Sequence, residues 1–119
     1  MYTQQVFNAE AVGLGASVES AVIDINAYAE EGFFSLQVEV TGTGTAKFEY
    51  MISNNGADYI TQTAAADVIV ADFVATSGPG SDGKDIISFE PEPAAKMKIK
   101  VTETGGATAI AVTATIVVA

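Results

Sequence analysis

The sequence predicts an all-β chain: a single antiparallel β-sandwich, jelly-roll or immunoglobulin-like, with an extended N-terminal arm. Three observations lead there. Apolar side chains recur at every second position along much of the 119 residues, the spacing that gathers them on one face of a strand. Clusters of Gly, Asn, Asp and Pro interrupt these runs at fairly regular intervals. No long segment shows the three-to-four spacing of an amphipathic helix.

Taken in order, "MYTQQVFNAEAVGLG" holds one small apolar cluster followed by Gly13 and Gly15, so residues 1–15 read as an arm and 16–119 as the sandwich. An arm carrying Tyr2, Val6 and Phe7 cannot bury them alone, and it is expected to add as a strand to a neighbouring molecule. "SVESAVIDIN" reads as a strand ending near Ile25, and "AYAEEG" has room for one helical turn. In "GFFSLQVEVTG", Phe34, Leu36, Val38 and Val40 face one way and Ser35, Gln37, Glu39 and Thr41 the other. "GTGT" supplies turn chemistry and "AKFEYMIS" resumes the alternation, so the two strands read as a hairpin. "NNGAD" is the next turn and "YITQT" a short strand.

"AAADVIVADFVATS" mixes helix-favouring alanines with a β-branched run bounded by Gly78 and Pro79, and the β-branched run decides for a strand. "DIISFE" is extended, and "PEP" (Pro91 to Pro93) marks a corner, because proline cannot donate to a central ladder. In "AKMKIKVTET", Met97, Ile99 and Val101 alternate with Lys96, Lys98 and Lys100. "GGA" then turns the chain into a last strand in which Ile110, Val112, Ala114, Ile116 and Val118 share a face.

Composition narrows the chemistry. A chain of this length buries about two thirds of the surface its unfolded form exposes, and 49% hydrophobic with 17% charged residues is not a disordered composition. No apolar run reaches the roughly 18 residues of a bilayer span. The first residues lack the basic and apolar regions of a signal peptide, so synthesis in a cytoplasm is expected. His, Cys, Trp and Arg are all absent. Imidazole acid-base chemistry, thiolate nucleophiles, the usual zinc ligand sets and guanidinium phosphate clamps go with them. A net charge of -10 repels nucleic acid and anionic membranes, so neither is an expected partner, and it keeps an abundant protein in solution.

Several motifs invite a chemical reading. "GPGSDGKD" matches a phosphate-binding loop at Gly78, Gly83 and Lys84 but has Asp85 where a hydroxyl would ligate magnesium. A strand pattern leaves it where a phosphate loop needs a helix N-terminus, so a strand-to-strand connection is expected. Asp82 and Asp85, or Asp58 in "NNGAD", are too few for the six to eight oxygens calcium takes, and read as turn residues. Glu30 with Glu31, and Glu90 with Glu92, read as solvated turn charges, since adjacency in sequence builds no cleft that would raise one pKa. Tyr2, Phe7, Phe33, Phe34, Phe73 and Phe89 could form a sugar platform, but burial in the core explains most of them. The stripe Lys96, Lys98, Lys100 is either an edge blunted against aggregation or a docking stripe for an acidic neighbour. No catalytic, cofactor-binding or metal-binding residue is assigned, and the chain is not expected to be an enzyme.

"GFFSLQVEVTGTGTAKFEYMISNNGADY", followed by "SGPGSDGKDIISFEPEPAAKMKIKVTETGGA", resembles the small β-sandwich structural proteins of tailed bacteriophages and prophages. The pattern is Leu-Gln-Val-x-Val, a Gly-Thr turn, Lys-x-x-Tyr-x-x-Ser, an Asn-Gly turn, a Gly-rich loop and Lys-x-Lys-x-Thr-Glu-x-Gly-Gly. It covers roughly Val22 to Val118 and leaves the arm outside. The resemblance implies a virion component: a capsid decoration (cement) protein on the outer surface of the head, assembled as a homotrimer and bound to the major capsid protein. The alternative it implies is a tail-tip or fibre-associated sandwich that binds host surface carbohydrate.

Overall fold

The computed structural model describes residues 1–28, 32–61, 68–106 and 108–119. Its elements are β1 (Tyr2–Val12), β2 (Ser17–Glu19), α1 (Ile25–Tyr28), β3 (Phe34–Gly42), β4 (Ala46–Ser53), β5 (Val68–Phe73), β6 (Lys84–Phe89), β7 (Lys96–Glu103) and β8 (Ile110–Val118). The strands form two four-stranded sheets, ordered β1-β8-β3-β6 and β2-β7-β4-β5. Neighbouring strands run antiparallel throughout. Among the described residues, only the step from β4 to β5 stays within a sheet; at every other step the chain crosses to the opposite layer. That order is the double Greek key of a jelly roll, which decides between the two sandwich forms the sequence allows.

The alternation in the sequence becomes the two inner faces. Leu36, Val38 and Val40 from β3, Phe48 and Tyr50 from β4, Met97, Ile99 and Val101 from β7, and Val112, Ala114, Ile116 and Val118 from β8 are all buried between the layers. Each large side chain removed from water in this way contributes about 1.5–3 kcal/mol. An aromatic contact joins the layers: Tyr50 of one sheet stacks on Phe89 of the other with ring centroids 5.7 Å apart. Within the sheets, Phe89 also meets Phe34 across β3 and β6 at 5.7 Å, and Phe48 meets Phe73 across β4 and β5 edge-on at 6.5 Å.

Four expectations need correction. The arm is part of the sheet: Tyr2–Val12 pairs with β8 from Tyr2↔Val118 to Val12↔Ile110, and Phe7 is 4% exposed. The domain boundary expected at residue 15 is therefore a corner inside one sandwich. The hairpin expected between β3 and β4 is also a corner, because β8 and β6 occupy both edges of β3 and leave β4 to join the other sheet. The strand expected up to Ile25 stops at Glu19 and resumes only as a bridge from Ile23 to Met97. Ser20 causes the break: its buried hydroxyl accepts the Ile99 amide at 2.9 Å and donates to the Ala21 carbonyl at 2.8 Å. Of "YITQT", Ile60 bridges Ile52, while residues 62–63 lie outside the described residues.

Candidate functional site

The Gly-rich loop runs over residues 74–83 and delivers the chain into strand β6, with no helix behind Lys84. Its amides serve the loop itself. Gly83 N-H donates to the Ser77 carbonyl at 2.8 Å and Ser81 N-H to the Gly78 carbonyl at 3.1 Å, while the Gly83 carbonyl accepts the Val40 amide at 2.9 Å. Gly83 has φ +75°, and a Cβ there would lie 2.5 Å from the Val40 carbonyl oxygen. Gly78 has φ +92°, and a Cβ there would collide with the Lys84 carbonyl. Glycine stands at both positions to let backbone meet backbone, which is a different reason from cradling an anion.

The acidic turns use their carboxylates in the same local way. Asp82 Oδ1 accepts the Lys84 amide at 3.3 Å and Asp85 Oδ1 accepts the Ile86 amide at 2.8 Å. In "NNGAD", Asn55 Oδ1 accepts the amides of Ala57 and Asp58, both at 2.9 Å, and Asn55 Nδ2 donates to Asp58 Oδ2 at 2.9 Å. Among the described residues no group of three or more His, Cys, Asp or Glu is placed to hold a metal ion. Glu92 accepts a hydrogen bond from the buried Tyr50 hydroxyl at 3.2 Å, a tie between the "PEP" corner and the core that sequence reading missed. Glu30 and Glu31 lie outside the described residues.

The most consequential polar group is Glu103, which sequence reading also passed over. It is 1% exposed. Oε2 accepts the amides of Thr45 at 2.9 Å and Gly105 at 2.8 Å, and Oε1 those of Gly106 at 2.8 Å and Gly15 at 3.2 Å. One carboxylate thus ties together three corners at one end of the sandwich: β1 to β2, β3 to β4 and β7 to β8. The Thr45 amide first, then those of Gly106, Gly15 and Gly105, stabilise its charged form against the opposing effect of burial and lower its pKa to about 2. A signal was present: strand parity puts Glu103 on the same side as Met97, Ile99 and Val101, an inward carboxylate just before Gly-Gly.

The sequence-derived interface residues fall in two places. Tyr2, Val6 and Phe7 all pack against the chain's own core, with the Tyr2 hydroxyl donating to Gln4 Oε1 at 2.9 Å. Lys96, Lys98 and Lys100 lie on β7, between β2 and β4, so the edge-strand reading of the stripe is corrected. Lys96 pairs with Asp24 at 3.0 Å. Lys98 pairs with Glu19 at 3.6 Å and sits over the Tyr59 ring at 4.4 Å. Lys100 stands in register with Glu19 and Glu49. The stripe therefore meets acidic groups of its own chain. Of the aromatic candidates, Phe7, Phe34 and Phe73 are buried and Phe89 packs partly buried against the core. Phe33 is 62% exposed, beside a hollow of about 370 Å³ lined also by Phe34, Ser88, Phe89 and Glu90.

No family model matches the chain, and no curated protein matches it. Solved structures do. The VP2 subviral particle of infectious bursal disease virus aligns over 97% of this chain and 31% of its own, with 10% identity and a TM-score of 0.58. The structure of the Gx strain of the same virus aligns over 97% and 30%, with 11% identity and a TM-score of 0.57. The enzymatically active domain of bacteriophage CBA120 tailspike protein 4 aligns over 87% and 14%, with 16% identity and a TM-score of 0.49. This chain thus spans under a third of each of those chains, and what it shares with the first two is the fold.

Proposed function

We propose that this protein is a structural component of a phage particle, a capsid decoration protein that adheres to its own copies and to the major capsid protein across neighbouring capsomers. The carrying observation is the jelly-roll strand order, β1-β8-β3-β6 against β2-β7-β4-β5, in a brick of 37 × 28 × 24 Å. A virus protein that forms a subviral particle has this fold, and the sequence resembles phage sandwich proteins. A clamp of this kind acts by mass action: whatever binds the closed shell and not the opened one stabilises the closed one. Several modest contacts linked in one assembly reach high avidity.

Quantitative mass spectrometry of purified virions tests this, with hundreds of copies per particle expected and antibody label on the head in electron micrographs. Absence from purified particles would sink the proposal. The second reading, a tail-associated sandwich that binds sugar, is favoured by the exposed ring of Phe33 beside its hollow. It predicts a few to a few tens of copies, label on the tail, and glycan binding that Phe33→Ala abolishes.

A further inference from the structure

The outward faces of the two sheets differ in chemistry. The β2-β7-β4-β5 sheet shows Glu19, Lys47, Glu49, Lys96, Lys98 and Lys100, several of them in ion pairs. Across the other sheet, strand register sets out four rows. They are Thr3, Val117, Ser35 and Ser88; Gln5, Thr115, Gln37 and Ile86; Thr113, Glu39 and Lys84; and Ala11, Ala111 and Thr41. Glu39 and Lys84 are the two charges among them, opposite in sign and adjacent in register. A chain with net charge -10 thus presents one sheet face of zero net charge, made mostly of hydroxyl, amide and apolar side chains, with Ile86 62% exposed.

We infer that this face is where two copies of the protein pack together, sheet against sheet, about a two-fold axis. Two molecules that both carry -10 repel each other, and repulsion is least where the charges have been cleared. The depletion of charge is also what distinguishes the centre of an interface from ordinary surface. A face that meets itself must be its own chemical complement, which hydroxyls that both donate and accept, and one adjacent pair of opposite charges, provide.

The size suits the role. The residues of these four rows, each covering ~4.8 Å across the strands and ~6.8 Å along them, give a footprint of about 460 Å² before side-chain relief. Relief brings this toward the ~800 Å² of accessible area per partner in a standard interface. Growth from the sheet edges is blocked instead. Glu10 on β1 and Asp85 on β6 stand opposite the buried Val112 and Val38, and a carboxylate at an inward position blunts an edge strand. Asp85 Oδ1 also occupies the Ile86 amide.

Pairing of this kind goes beyond the decoration reading and does not need it, since the test uses purified protein without particles. Sedimentation velocity from 1 to 100 μM should show the mass rising from 12.2 kDa toward twice that value. Thr115→Arg, in the middle of the face, should weaken association at least ten-fold while leaving the circular dichroism spectrum and melting temperature near wild type. Lys98→Ala, on the opposite face, should leave association unchanged. A wild-type protein that remains a monomer, or forms a trimer, overturns the inference. So does association that Thr115→Arg leaves intact or that Lys98→Ala removes.

Discussion

Phe48 offers a quantitative test of how the two layers hold together. Its side chain is 0% exposed, lies in register with Val101 across β4 and β7, and meets Phe73 edge-on at 6.5 Å. Truncation to alanine removes the whole ring from a site bounded by two sheets, which cannot close over the gap without shifting both ladders. A cost of about 3–5 kcal/mol is expected, of which ~0.5–1.5 is the ring pair. At 0.05–0.15 kcal/mol per residue the whole fold is worth about 6–18 kcal/mol, so Phe48→Ala should remain folded at 25 °C but melt far lower. With an unfolding entropy of about 0.25 kcal/mol/K for a chain of this size, a loss of ~4 kcal/mol corresponds to a drop of about 16 °C. Urea and thermal denaturation followed by circular dichroism measure both quantities. Phe33→Ala, at an exposed ring, is the control and should fall within ~0.5 kcal/mol of wild type. If Phe48→Ala loses less than ~1 kcal/mol, or the two variants lose equal amounts, the two layers do not pack through this ring.

Three more outcomes hang on single residues. The folded-state pKa of Glu103, about 2, lies below its usual value near 4.5, so its contribution is complete above pH ~4.5 and is lost as pH falls toward 2. Glu103→Gln should therefore melt below wild type at pH 7, and the gap should narrow through that window; a gap constant with pH would remove the charge from the explanation. Gly83→Ala places a methyl group against the Val40 carbonyl at positive φ and should cost at least about 2 kcal/mol, read from urea midpoints. Ala9 sits at φ +46° where the β1–β8 register shifts between Phe7 and Glu10. Ala9→Gly relieves ~1–2 kcal/mol of strain against a smaller loss through the unfolded chain, so it should stabilise by about 0.5–1 kcal/mol in the same denaturation experiment, contrary to the usual effect of glycine in a strand.

Most of the strands are legible without the structure, because a period of two is a local property. Leu36, Val38 and Val40, or Ile110 through Val118, announce their buried side within a few residues. The same parity places Lys96, Lys98 and Lys100 together on the opposite side of β7 from Met97, Ile99 and Val101. It also holds Glu103 in plain view as an inward carboxylate. What parity does not supply is the identity of each strand's neighbour. A strand leading into a hairpin and one leading into an inter-sheet corner alternate identically, so β3 and β4 pair by pattern and are separated in space. The N-terminal segment fails for the same reason: Tyr2, Val6 and Phe7 show that something must cover them, and only the position of β8 shows that it is the same chain.

Composition and alternation are written residue by residue, and they suffice for a β-sandwich, its approximate strand positions, and the loss of His, Cys, Trp and Arg chemistry. Tertiary structure alone decided the jelly-roll order, the convergence of Gly15, Thr45, Gly105 and Gly106 on Glu103, and the clearing of charge from one sheet face. Each of these depends on residues far apart in the chain, and their juxtaposition is fixed only when every strand has found its place.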